Sequence, residues 1–169
     1  LDLGYRYNSG WMTAEISLFH NWVSDYIYQQ RSSDLLFNAA DGSFVSPDAA
    51  CGECFPLLDT QQTDATFKGF EAQTVFPLMQ NSYGALDLSL FGDFTRGTFN
   101  NGLDVPRLPP LRYGLQLSYE KDAFSTNIRL TRGEAQTNPG ANETETGSYL
   151  LLNIGAQYRL GDIQGAEIL

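Results

Sequence analysis

The chain has 169 residues, 42% hydrophobic and 18% charged, with a net charge of −10; this suits one folded unit and excludes a disordered segment. The negative balance also argues against nucleic acid as a partner, since that binding depends on Lys and Arg neutralising phosphate. No run of roughly 18 apolar residues occurs, so a spanning helix is excluded, and no leader peptide is visible.

In chain order, Leu1, Leu3, Tyr5 and Tyr7 alternate with Asp2, Gly4 and Arg6, up to the turn signal Asn8-Ser9-Gly10. This period of two marks a strand with one apolar and one polar face. A second, long strand places Met12, Ala14, Ile16, Leu18, His20 and Trp22 on one face and Thr13, Glu15, Ser17 and Asn21 on the other, with Tyr26 and Tyr28 expected to close the far end. From Arg31 to Asp64 no period is sustained, and Asp41-Gly42 and Ser46-Pro47 interrupt the chain, so a long irregular loop is expected. Loops of that length are rare unless functional.

That stretch holds both cysteines, as Cys51-Gly-Glu-Cys54. A structural zinc site lacks its other ligands, since there is no second pair and one histidine in the chain. A redox pair of the thioredoxin kind needs a βαβ setting that is absent. The favoured reading is a small loop-closing disulfide in an oxidising compartment.

The third strand is expected from Ala65 to Pro77, with Phe70, Ala72, Thr74 and Phe76 opposite Phe67, Gly69, Glu71 and Gln73. After the turn Gln80 to Gly84, a fourth sets Leu86, Leu88, Leu90 and Phe94 against Asp87, Ser89, Phe91 and Asp93. The loop from Phe99 delivers the proline-punctuated run Val105 to Pro110 into a fifth strand, where Leu111, Tyr113, Leu115, Leu117 and Tyr119 alternate with Arg112, Gly114, Gln116 and Ser118. Beyond Lys121-Asp122 a sixth carries Phe124, Thr126, Ile128 and Leu130 against Ser125, Asn127, Arg129 and Thr131. The polar loop Gly133 to Gly147 precedes a seventh strand, with Leu150, Leu152, Ile154, Ala156, Tyr158 and Leu160 opposite Asn153, Gly155, Gln157 and Arg159, and Gly161-Asp162 reads as the next turn.

Short and long connections alternate throughout, which gives an antiparallel up-and-down sheet two unlike ends. That pattern, with leucine bands bounded by aromatics, is what lipid outside and water inside select in an outer-membrane β-barrel. A soluble barrel or sandwich stays open on periodicity alone. The polar face places Glu71, Asp87, Asp93, Arg112, Arg129 and Arg159 toward an expected aqueous or plugged lumen. About seven strands do not close a wide pore and would leave open edges, so residues 1–169 are expected to be one segment of a larger barrel, with strands missing on both sides.

The segments Ala65-Thr-Phe-Lys-Gly-Phe-Glu-Ala72, Pro106-Arg-Leu-Pro-Pro-Leu-Arg112 and Asn142-Glu-Thr-Glu-Thr-Gly-Ser-Tyr149, in that order, resemble the C-terminal part of a TonB-dependent outer-membrane receptor. Within that family the second and third look most like zinc-uptake receptors of the ZnuD type. The resemblance implies a 22-stranded barrel, roughly, with a plug domain that precedes this segment, and active import of a scarce ligand powered through TonB. It also implies that the long loops are extracellular and that lipid surrounds the wall.

No Gly-x-Ser-x-Gly or metal-hydrolase spacing occurs, so no enzyme is expected, nor any resident cofactor. His20 shares the apolar face with Leu18 and Trp22, which speaks against a metal role. Asp41, Asp48, Glu53 and Asp59 are the candidate oxygen ligands for a passing cation such as zinc, joined by Cys51 and Cys54 if reduced. Solvated loop acids are the plainer alternative. A ferric siderophore is the rival cargo, with Arg31, Arg107 and Arg112 near the loop ends, and a passive porin or surface module the rival class.

Overall fold

Every regular element of the computed structural model, which describes residues 1–46 and 51–160, is a strand. These are β1 (Asp2–Asn8), β2 (Thr13–Asn38), β3 (Phe44–Val45), β4 (Cys54–Asn81), β5 (Gly84–Phe99), β6 (Arg112–Lys121), β7 (Phe124–Gly133) and β8 (Tyr149–Tyr158). They form one meandering sheet in the order β1-β2-β4-β5-β6-β7-β8, with β3 added to β2 near the hairpin tip. The expected turn at Gly161-Asp162 lies outside the described residues.

Register follows the side-chain alternation. Leu90, Leu115, Leu130 and Leu152 stand opposite one another across four strands, and one step along, Ser89, Gln116, Arg129 and Asn153 do the same. A slip of one residue anywhere would mix the two sets. Nothing covers the apolar side: Leu150, Leu152 and Ile154 are 63%, 58% and 69% exposed, and Ala65, Phe99 and Val105 are the only buried apolar residues among those described. The described residues supply no second sheet to pack on that face, as a sandwich would.

The expected irregular loop from Arg31 to Asp64 is a correction. β2 runs on to Asn38 and β4 begins at Cys54, and the two stay paired through Asn38 and Cys54, with irregularities between Val23 and Tyr26 and between Arg31 and Leu36. The alternation fades there because both faces meet water, while backbone pairing continues regardless.

Tyr26 and Tyr28 are a second correction. Between Val23 and Tyr26, β2 takes three steps where β4 takes two, from Ala65 to Thr63. Asp25 absorbs the extra residue at φ 53°, its N–H donating to the Asp64 carboxylate at 3.1 Å. Such a bulge reverses parity beyond it, so both tyrosines face inward instead of extending the apolar face. Tyr26 meets Phe67 at 5.3 Å between centroids and Tyr28 meets Phe99 at 4.4 Å. With Ala65, Val105 and Leu108 they form a small inner core, onto which the β5–β6 connection folds through a Val105 N–H to Gly97 carbonyl bond of 2.9 Å.

Candidate functional site

The inner face carries its charges in cross-strand rows. Ser17, Glu71, Asp93 and Arg112 stand side by side on β2, β4, β5 and β6, and Glu15, Gln73, Phe91 and Gly114 form the adjacent row. They line a hollow of about 490 Å³, with Arg129 contributed by β7. Four of the six residues expected to face the lumen, Glu71, Asp93, Arg112 and Arg129, therefore converge.

Each cation in the hollow is held. Arg112 donates from Nε and Nη2 to the same Asp93 oxygen, at 3.0 and 2.8 Å. Both side chains are partly exposed, so the pair adds at most about 1 kcal/mol and chiefly fixes where the guanidinium points. Arg129 lies over the Phe91 ring at 3.7 Å and donates to Gln116 Oε1 at 3.3 Å. The ring itself lies across Gly114, where an added Cβ would come within 2.7 Å of Phe91 Cζ and closer still to the Leu130 carbonyl. Glycine at 114 thus lets an aromatic lie flat and present its face to a cation. Glu15 is bridged to Arg6 at 2.9 Å. The result is a nearly charge-balanced surface of fixed hydrogen-bond donors and acceptors, suited to holding a polar solute or a protein surface.

Asp87 lies instead in a smaller hollow of about 180 Å³ with Gln116, Ser118 and Asn127, toward the short turns. Arg159 follows β8, with its N–H donating to the Ala123 carbonyl at 2.8 Å.

At the other end, a pocket of about 270 Å³ is lined by Tyr26, Tyr28, Leu58, Arg107, Asn142 and Glu143, among others. It joins the long β2–β4 hairpin to both long loops. Glu143 accepts the Arg107 N–H at 2.6 Å and the Gly140 N–H at 3.0 Å, and Arg107 Nη2 reaches Gln29 Oε1 at 3.2 Å. Arg107 and Asn142 both hold positive φ, at 64° and 68°, a conformation that costs a non-glycine residue about 1–3 kcal/mol and clusters at functional sites. Asn142 and Glu143 stood in a quoted motif, but their partnership with Arg107 is a contact between distant loops that no local pattern announces.

Among the described residues, the hairpin acids do not form a group. Asp41 sits in the tip turn, where its Oδ1 accepts the Ser43 hydroxyl at 2.7 Å and the Ser43 N–H at 2.9 Å, which hold its carboxyl below the usual range. The Glu53 carbonyl receives the Ala39 N–H at 3.0 Å, Asp59 pairs with Gln30 on β2, and Asp48 lies outside the described residues. Cys51 and Cys54 are joined by a disulfide. Among the described residues, no three of His, Cys, Asp and Glu are grouped to hold a metal ion. His20 stacks on Trp22 at 4.3 Å, away from the hollow.

A family model described as TonB dependent receptor-like, beta-barrel, matches residues 1–166. Among solved structures, one named copper transporter OprC superposes with a TM-score of 0.68 at 18% identity, over 94% of this chain and 22% of that one. This likeness is one of fold, and the chain spans less than a quarter of that protein's length.

Proposed function

The chain belongs to the TonB-dependent receptor β-barrel family, and from that premise we propose that it forms part of the wall of an outer-membrane importer for a scarce metal carried as a complex. The carrying observation is the inner hollow of Glu71, Asp93, Arg112 and Arg129, with polar groups fixed in place on a face opposite uncovered leucines. Such groups suit either the receptor's own plug or a solute passing it, and TonB would act through parts of the receptor that precede this segment.

A zinc complex is the favoured cargo. The loop motifs resemble zinc-uptake receptors, and the copper transporter among the structural relatives supports a metal for this architecture. A complex is preferred over a bare ion because the described residues offer no grouped ligands, whereas the mouth pocket offers Arg107 beside two tyrosines. Asp41, Asp48, Glu53 and Asp59 serve in this reading as an acidic approach along the hairpin, and the long loops face the exterior. A ferric siderophore is the second reading, favoured by the same arginine and aromatics. The test is growth of a receptor deletion strain under zinc, iron or copper limitation, complemented with the full-length gene. Rescue under zinc limitation alone, weakened by Arg107→Gln, is expected; rescue under iron limitation alone would replace zinc by a ferric chelate.

A further inference from the structure

The apolar outer face carries a basic row across β2, β4 and β5, apart from Arg132, which lies on the same face of β7 beside Tyr113 and Leu150 and is paired with Glu134. His20 on β2 stands opposite Lys68 on β4, and Lys68 opposite Arg96 on β5. All three share the parity of Leu18, Phe70 and Phe94, the row directly beneath them, and of Trp22, Thr66 and Thr98 directly above. Each inter-strand step is about 4.8 Å, so the three donors span roughly 10 Å.

Lys68 is exposed, and its ammonium has no ion pair or hydrogen bond among the described residues. Arg96 is partly satisfied by Asp104, at 3.2 Å. Trp22, stacked on His20 and 67% exposed, is the amphipathic ring that marks a membrane interface. An unpaired ammonium facing hydrocarbon costs about 2–4 kcal/mol at mid-bilayer and about 0–1 kcal/mol at the interface. The row therefore belongs at headgroup depth, on the long-loop side of the leucine band. In a chain of net charge −10, two adjacent cations and an imidazole facing outward at that depth complement an anion supplied by the membrane.

We propose that His20, Lys68 and Arg96 form an external site for the phosphate headgroup of a membrane lipid, whose acyl chains lie along Leu18, Phe70 and Phe94. The proposal rests on the outer face meeting lipid and is independent of the cargo.

The test uses the full-length receptor, delipidated in neutral detergent, and native mass spectrometry with phosphatidic acid, diacylglycerol of the same chain length, and inorganic phosphate. Phosphatidic acid is expected to bind and diacylglycerol to bind far more weakly. Lys68→Gln with Arg96→Gln should weaken phosphatidic acid about thirty-fold, Lys68→Gln alone about five-fold, and Lys68→Arg should leave it near the native value. Heat-modifiable gel mobility identifies any variant that fails to fold, and the single variants then carry the test. Unchanged binding in the folded Gln variants, or equal retention of diacylglycerol, would overturn the site. Competition by inorganic phosphate at the same concentration would make it a free-anion site and overturn the lipid assignment. Metal-limited growth is expected to be indifferent to these variants, which keeps this test separate from that of the cargo.

Discussion

Strands β6, β7 and β8 and the outer half of the β2–β4 hairpin are paired by the same backbone hydrogen bonds, yet they obey different rules. The first three are 10 residues each, the length a tilted strand needs to cross a bilayer, whereas β2 and β4 are 26 and 28. The excess projects roughly 50 Å beyond the wall at about 3.3 Å per residue. In the wall, side chains sort by face because one side meets lipid. In the hairpin, Gln29-Gln30-Arg31-Ser32 is polar on both sides. Alternation thus reports the difference between two solvents, and a strand wet on both faces is a strand without it.

The contrast is sharpened most by placing a charge in the wall. Leu115→Arg or Leu88→Arg should cost about 2–4 kcal/mol near the bilayer midplane, measured by denaturant unfolding from lipid vesicles, while Gln116→Arg or Ser89→Arg on the inner face should cost distinctly less. Equal losses on both faces would erase the distinction between them.

Next in size is the close approach at Gly114. Gly114→Val meets the Leu130 backbone and the Phe91 ring and should cost about 1–3 kcal/mol, and it should also displace Arg129 from Phe91. Gly4→Val, where nothing stands within 4 Å of an added Cβ, serves as the tolerant control in the same unfolding assay.

Smaller effects belong to the hairpin. Removing the disulfide with Cys51→Ser and Cys54→Ser should lower global stability by less than about 2 kcal/mol, since the closed loop is short. Faster amide exchange should appear near Asn38 and Cys54 and be absent from β6 to β8; a change throughout the wall would mean that the hairpin and wall unfold as one unit. The smallest effect concerns Asp41. Its carboxyl is depressed by Ser43, so the turn's extra stability is present above the unfolded pKa of about 3.9 and is lost as pH falls through the lower folded value. The Ser43 amide resonance should accordingly titrate below that of an unstructured peptide of the same sequence.

The same contrast explains what could be read beforehand. Leu115 to Tyr119 and Leu150 to Tyr158 declared their faces because lipid and water impose opposite choices on neighbouring residues. Tyr26 and Tyr28 did not, because one extra residue at Asp25 reverses parity and an aspartate is an unremarkable signal for a bulge. The inner hollow was legible residue by residue, as charges on one face, but not as a group: bringing Arg129 over Phe91 requires Gly114 to admit the ring. The mouth pocket depends on a contact from Arg107 to Gln29 across 78 residues of chain. Among the described residues the hairpin acids form no group, because Asp41 sits in the tip turn while Asp59 lies within β4.

The division of this sheet into a lipid face and an aqueous face is open to direct measurement with single spin labels placed in turn at residues 115 to 119 of the full-length receptor in lipid nanodiscs, with collision by oxygen compared against a water-soluble nickel chelate. Labels at 115 and 117 should favour oxygen and those at 116 and 118 the chelate or neither, with a period of two, whereas residues 29 to 32 should favour the chelate throughout. Uniform accessibility along 115 to 119, or the opposite phase, would contradict the membrane wall.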